Sequence, residues 1–194
     1  MGELGFAVFD TAIGRCGIIW SAHGVGGVQL PERSERATRD RLLRRFPAAR
    51  ETLPPAALRR AIDDIGALLR GEPRDLGHVV LDSEGIPDFD RRVYALARGI
   101  RAGTTSSYGE IAERLGDRGL ARDVAQALAH NPFALIVPCH RVLAAGGKMG
   151  GFSAPGGVRT KLRLLSIEGA RYGDGAEPML FDRLPWAAAG RRRA

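Results

Sequence analysis

The chain has 194 residues, 44% of them hydrophobic, with a formal net charge of +7. That is enough for one large domain or two small ones. No apolar run reaches the length of a membrane span, and two cysteines far apart do not suggest a disulfide framework, so a reducing compartment, the cytoplasm, is the expectation. The start, Met1 to Phe6, lacks a basic region followed by an apolar core, so no secretory signal is expected, and Phe6 makes Gly2 a poor myristoylation site.

The charge is uneven. Residues 1–86 are neutral, residues 87–170 carry +5 and residues 171–194 carry +2. The excess would draw a polyanion to the C-terminal half. Arg and Ala are abundant and only Lys148 and Lys161 are lysines, so part of this balance reflects codon usage.

Residues 4–30 predict β structure. Phe6, Val8 and Phe9, then Cys16, Ile18, Ile19 and Trp20, flank a hairpin turn at Thr11-Ala12-Ile13-Gly14, and Val25 and Val28 continue into a third strand. Residues 34–46 predict a helix capped by Ser34, with Ala37, Leu42 and Phe46 on one side. Pro54-Pro55 opens a second helix bearing Leu58, Ile62, Ile65, Leu68 and Leu69, and Gly71-Glu72-Pro73 closes it. Val79-Val80-Leu81 reads as a short strand. Cys16, His23 and His78 match no zinc spacing, so no metal site and no cofactor are expected.

Gly85-Ile86-Pro87 is the expected boundary between a scaffold of residues 1–85 and a second unit of residues 86–170, with a tail over 171–194. The second unit begins with a helix from Phe89 to about Arg98. Ser107 and Glu110 then predict a capping box for a helix carrying Ile111, Ala112 and Leu115. Gly116 stops it, Asp117-Arg118-Gly119 turns, and a second helix runs from about Leu120 to Ala129. Leu120, Val124 and Leu128 form its buried stripe, and Arg122 and Gln126 face outward. Two short helices around a tight turn read as a helix-turn-helix.

Asn131-Pro132 ends that helix. The apolar run Leu135-Ile136-Val137 leads into Pro138-Cys139-His140-Arg141-Val142, and a Gly-rich loop over residues 146–157 precedes a last helix with Lys161, Leu162, Leu164, Leu165 and Glu168. The loop lacks the Walker spacing of a phosphate cradle. A thiol beside an imidazole, between a helix-turn-helix and a Gly-rich loop, suggests a nucleophile aimed at nucleic acid. A Cys-His hydrolase is a weaker reading, because direct adjacency is unusual for such pairs.

From Phe89 to Gly169 the pattern closely resembles the O6-alkylguanine-DNA alkyltransferases, also called methylated-DNA–protein-cysteine methyltransferases. The resemblance rests on Ser107-Tyr108-Gly109-Glu110, Arg122, Asn131-Pro132, Pro138 to Val142, Gly150 to Ser153, Lys161, Leu164-Leu165 and Glu168-Gly169, in the family's order, with a slightly longer loop before Lys161. It implies a ribonuclease H-like α/β N-terminal domain, with a small antiparallel sheet and helices, and a mainly α, winged helix-turn-helix-like C-terminal domain. It implies irreversible, stoichiometric transfer of an alkyl group from O6-alkylguanine, or O4-alkylthymine, in double-stranded DNA to Cys139, by a monomer. His140 would be the general base and Glu168 its orienter. Arg122 would fill the gap left by an extruded nucleotide, and Tyr108 would help rotate that nucleotide and donate to the base. Val142, through its carbonyl, Phe152 and the Ser153 N–H would line the pocket, and the carbonyl of Cys139 would share the guanine amino group. Asn131 would tie the helix end to the Cys segment. The same resemblance leaves a second role, a lesion-binding protein that recruits other repair factors without transfer; relatives of that kind replace the Cys. Asp123, Gln126 and Phe152 depart from the family's usual residues, with consequences for DNA affinity and substrate range. A transcription regulator is disfavoured because this length holds no activator domain.

Overall fold

A computed structural model describes residues 4–171. The first strands, β1 (Gly5–Thr11), β2 (Gly14–Ser21) and β3 (Gly24–Gln29), form an antiparallel meander. Apolar residues on the meander bury Phe6, Cys16, Ile18, Ile19, Trp20, Val25 and Val28. Helix α1 (Glu35–Arg45) starts where the Ser34 side chain accepts the Ala37 N–H at 3.2 Å. Strand β4 (Arg50–Glu51) then lies parallel to Gly5–Phe6, giving the order β3-β2-β1-β4. The sheet is therefore mixed rather than purely antiparallel. Two charged residues carry no alternation, so β4 has no signature in the sequence.

Helix α2 (Ala56–Leu69) buries Ala61, Ile65, Leu68 and Leu69. The strand expected at Val79-Val80-Leu81 does not form: only Leu81 makes a single bridge, to Val25, and Val80 is exposed. The Val80 carbonyl accepts the Val25 N–H at 2.9 Å and the Asp82 N–H donates to the Val25 carbonyl at 2.8 Å, but the pairing stops there because the next stretch of the β3 edge, at Val28, is taken by Pro132 and Phe133; Arg98 Nη2 donates to the carbonyls of Leu76, Gly77 and Val79 at 2.8–3.1 Å.

Helix α3 (Asp88–Arg98) buries Val93, Tyr94 and Ala97. After it, β5 (Ser106–Ser107) leads into α4 (Tyr108–Arg114), where both halves of the Ser107–Glu110 capping box are present. A 3-10 turn over Arg118–Leu120 connects to α5 (Ala121–Ala129). Val124, Ala127 and Leu128 of α5 face inward and Leu120 is only half-buried. A second 3-10 turn, Cys139–Arg141, precedes β6 (Val142–Leu143), which pairs with β5 in parallel, and α6 (Val158–Ile167) ends the described residues' regular structure.

One apolar cluster joins the two halves. It runs from Ile18, Val25 and Val28 through Ile65 and Val93 to Val124, Phe133, Val137 and Leu164. Tyr94 sits at its centre: its hydroxyl donates to the Ala127 carbonyl at 3.0 Å and its ring meets Phe133 edge-on at 6.1 Å. The outer edge of β3 is used twice, by Leu81 at Val25 and by Phe133 at Val28. The Val28 N–H donates to the Pro132 carbonyl at 2.8 Å, so the sheet holds the segment that leads to Cys139.

Candidate active site

The chain turns sharply between α5 and Cys139, with Leu135 at φ 71°, a left-handed value for a non-glycine residue. Asn131 straps this turn. Its Oδ1 accepts the Phe133 N–H at 2.9 Å and its Nδ2 donates to the Val137 carbonyl at 2.8 Å. Pro138 follows, and Cys139 begins the 3-10 turn.

The two thiols differ in access. Cys16 is fully buried, and burial pushes its thiol up to about 12. Cys139 keeps a partial opening to solvent, although protein surrounds much of the residue. Burial also pushes the Cys139 thiol up, while a hydrogen bond with the Asn131 side chain and the charge of Lys161 pull it back. Burial likewise pushes His140 below the ordinary imidazole value, against the pull of Glu168.

Behind Cys139 lies a buried polar cluster. His140 Nε2 and Glu168 Oε1 are 2.9 Å apart. Arg141 donates to the same carboxylate twice, from Nε to Oε2 and from Nη2 to Oε1, both at 2.8 Å, and its Nη1 donates to the Ile100 carbonyl at 2.6 Å. Burial alone would push the Glu168 carboxyl up; hydrogen bonds from His140 and Arg141, and their charges, outweigh it and hold it at about 2. Glu168 sits at the C-cap of α6, so the helix end delivers it to this cluster.

On the other side, Lys161 is fully buried. Its Nζ donates to the carbonyls of Val142 at 2.7 Å and Met149 at 2.6 Å and lies 5.8 Å from the centre of the Tyr108 ring. Burial lowers Lys161 to about 8, with Cys139 pulling the other way. The Val142 carbonyl, expected to receive a guanine amino group, is thus already an acceptor, and the Cys139 carbonyl accepts the Val142 N–H. Each oxygen keeps one further lone pair for a ligand.

Tyr108 is the first residue of α4, fixed by the capping box, and half-buried. Burial pushes its hydroxyl up, and Cys139 adds to the shift. Gly150, at φ 66°, sits close against Tyr108: a Cβ there would stand 3.3 Å from the ring and hydroxyl and would press the ring aside by a few tenths of an ångström. Phe152 packs half-buried on the core, and Ser153 Oγ donates to the Ala129 carbonyl at 2.8 Å, pinning the Gly-rich loop to the end of α5. Arg122 stands apart, exposed on α5 beside Asp123 and with Gln126 one turn on. Thus Cys139, His140, Glu168, Tyr108, Val142 and Asn131 converge, Phe152 packs on the apolar cluster that Cys139 also borders, and Arg122 is exposed on α5.

Arg141 and Lys161 are members of this cluster whose roles the sequence reading left unassigned. Both have a signal in hindsight: Lys161 is a lysine inside an apolar helix stripe in an Arg-rich chain, and Arg141 lies between two apolar runs. Two clefts, of about 560 and 400 Å³, lie elsewhere and are not lined by Cys139. The smaller reaches the site only through the back of Arg141, so volume does not mark the chemistry. No group of three or more His, Cys, Asp or Glu able to hold a metal occurs among the described residues.

Residues 88–170 match the 6-O-methylguanine DNA methyltransferase DNA-binding domain. Over 153 residues the chain is 37% identical to the methylated-DNA–protein-cysteine methyltransferase of Methanothermobacter thermautotrophicus, covering 79% of this chain and 78% of that protein. The chain belongs to the methylated-DNA–protein-cysteine methyltransferase family. The Mycobacterium tuberculosis member is 44% identical over 131 residues, 68% of this chain and 76% of that protein. Its crystal structure superposes with a TM-score of 0.67 at 34% identity, covering 86% of this chain and 93% of the other, and the protein has also been solved in complex with DNA. The solved relatives share the arrangement of a mixed sheet and helices seen here. No helix among the described residues is long and apolar enough to cross a membrane.

Proposed function

We propose that this chain repairs DNA by direct, irreversible transfer of an alkyl group from O6 of guanine, with O4 of thymine as a second substrate, to the sulfur of Cys139. The observation that carries this reading is the partly open Cys139 backed by the buried His140–Glu168–Arg141 cluster. His140 is neutral and therefore able to take a proton, and Glu168, an acceptor only, fixes its ring. The thiol loses its proton to His140 through an intervening water as the sulfur attacks the alkyl carbon. The S–C bond forms, the C–O bond breaks, and its electron pair stays with the base; a proton from solvent, matched by the one His140 later releases, restores guanine, which remains in the strand. The thioether has no cleaving group beside it, so each molecule acts once.

The target atom lies inside a duplex, so the nucleotide must be extruded at a cost of a few kcal/mol. Arg122, exposed on α5, fills the vacated place, Tyr108 guides the swung-out nucleotide and donates to the base, and the Phe152–Ser153 loop closes the pocket wall. The helix pair α4–α5 with β5–β6 acts as a winged helix-turn-helix over residues 86–170, and residues 1–85 act as a ribonuclease H-like scaffold that aims the Cys segment. Two free thiols suit a reducing compartment such as the cytoplasm.

Incubation with a duplex containing O6-methylguanine should add one methyl to the intact protein, on Cys139, with one equivalent of lesion removed. Cys139→Ala protein that still removes the lesion overturns the assignment. Lesion binding with no mass change would favour the lesion-flag role, which the presence of Cys139 argues against.

A further inference from the structure

The two edges of the four-stranded sheet end differently. The β3 edge is covered by Leu81 and Phe133. On the β1 edge, β4 covers only Gly5 and Phe6. The last contact is the Thr52 N–H to the Phe6 carbonyl at 3.1 Å, after which the chain turns away into Leu53-Pro54-Pro55 and α2. Backbone groups facing one edge alternate along a strand. Those of Val8 and Asp10 therefore face the same side as the Phe6 carbonyl, and among the described residues they have no backbone partner there. The cleft of about 560 Å³ runs along this edge, walled by Val8, Phe9, Thr52, Leu53, Arg59 and Ile62. Leu53 is 89% exposed, the most exposed large apolar side chain of the described residues. An open strand edge beside an apolar wall is a template for one more strand.

We propose that the occupant is this chain's own Met179-Leu180-Phe181, added as a strand along Val8–Asp10. The exit point favours it. Arg163 of α6 donates to the Ala12 and Ile13 carbonyls in the turn that ends β1. The Ile167 carbonyl at the far end of α6 lies 3.1 Å from where a Cβ on Gly71 would sit, just past the end of α2. Arg171 therefore leaves the body beside the end of α2, the helix that walls the cleft. From Gly71 back to Ile62 is about 14 Å along the helix axis, and the eight residues from Arg171 to Met179 reach about 26 Å when extended. Alternation puts Met179 and Phe181 on one face of the added strand, towards the apolar wall. Glu177 before them and Asp182-Arg183 after them can meet the mixed charges of Arg59, Asp63 and Glu51 at the rim.

The test is amide hydrogen exchange on the full chain. The Val8 and Asp10 N–H groups should exchange at least about tenfold more slowly in the wild type than in the Met179→Ser/Phe181→Ser variant. Leu53→Lys, on the exposed wall, should release the same two amides. Neither variant touches the alkyl-acceptor cluster, so lesion removal should be unchanged and serves as the fold control. Equal exchange in all three proteins overturns the proposal. So does protection that disappears on dilution, which would make a second copy the occupant.

Discussion

Replacing Arg141 by Met tests whether the carboxylate behind Cys139 is held ionised by its guanidinium neighbour. The Glu168 side chain is buried, with its carboxyl at about 2 where 4.5 is ordinary. That difference is worth about 3 kcal/mol at neutral pH, shared between Arg141 and His140. Arg141→Met removes two charge-assisted hydrogen bonds and leaves the carboxylate with His140 alone. Breaking a buried pair from one side costs about 3–5 kcal/mol, so a loss of about 3 kcal/mol is expected at pH 7. The sign with pH follows from linkage. A depressed carboxyl pKa contributes stability above its unfolded value, and that contribution is lost as pH falls through the folded value. The gap between wild type and Arg141→Met should therefore be full at pH 6–7 and shrink from about pH 4.5 downward. Urea unfolding at a series of pH values, followed by tryptophan fluorescence, measures it. A loss under about 1 kcal/mol at pH 7, or a gap that stays constant down to pH 3, would refute the reasoning.

Labelling of Cys139 by iodoacetamide should be slower at pH 7 than that of free cysteine and should titrate above the ordinary thiol value, because burial pushes the thiol up; a midpoint below 8 contradicts this. Alkyl transfer should keep its rate as pH falls through 6.5 and fail only lower, since burial holds His140 below the ordinary imidazole value; an acid limb at or above 6.5 in single-turnover kinetics speaks against His140 as the base. Arg122→Ala should slow transfer from duplex DNA by at least about tenfold, equivalent to about 1.4 kcal/mol, while leaving transfer from the free O6-methylguanine base unaffected; equal effects on both substrates remove Arg122 from nucleotide extrusion. Gly150→Ala should cost about 1 kcal/mol in stability and slow transfer, because its φ of 66° is strained for Ala and its Cβ would press on Tyr108; a variant with wild-type rate and stability would show that Tyr108 is not held there.

The elements legible in the sequence are those whose signal is local. Ser34 and the Ser107–Glu110 box mark helix starts because capping is a contact over three residues. The Pro138-Cys139-His140 segment is legible because the thiol and imidazole are neighbours in the chain. What stayed hidden depends on distant partners. Two-residue β4 exists only because Gly5–Phe6 offers an edge. Val79-Val80-Leu81 has strand composition, yet it shares the β3 edge with Phe133, about fifty residues on, and keeps a single bridge. The burial of Cys139 and His140 is also not legible in the sequence, because adjacency in the chain says nothing of what packs around the two groups.

The hydrogen bond from Val28 to the carbonyl of Pro132 couples the meander to the reactive loop. On the proposed mechanism, the half of the chain that holds none of the reacting groups thereby helps to position the Cys139 segment. Loosening β3, by a proline at Val28 or a bulky residue at Gly27, whose Cβ would stand 3.2 Å from the Pro132 carbonyl, should show itself as a slower methyl acceptor that still grips DNA. Variation in that remote ribbon is then a dial on reactivity, separate from any change in the protein's hold on the duplex.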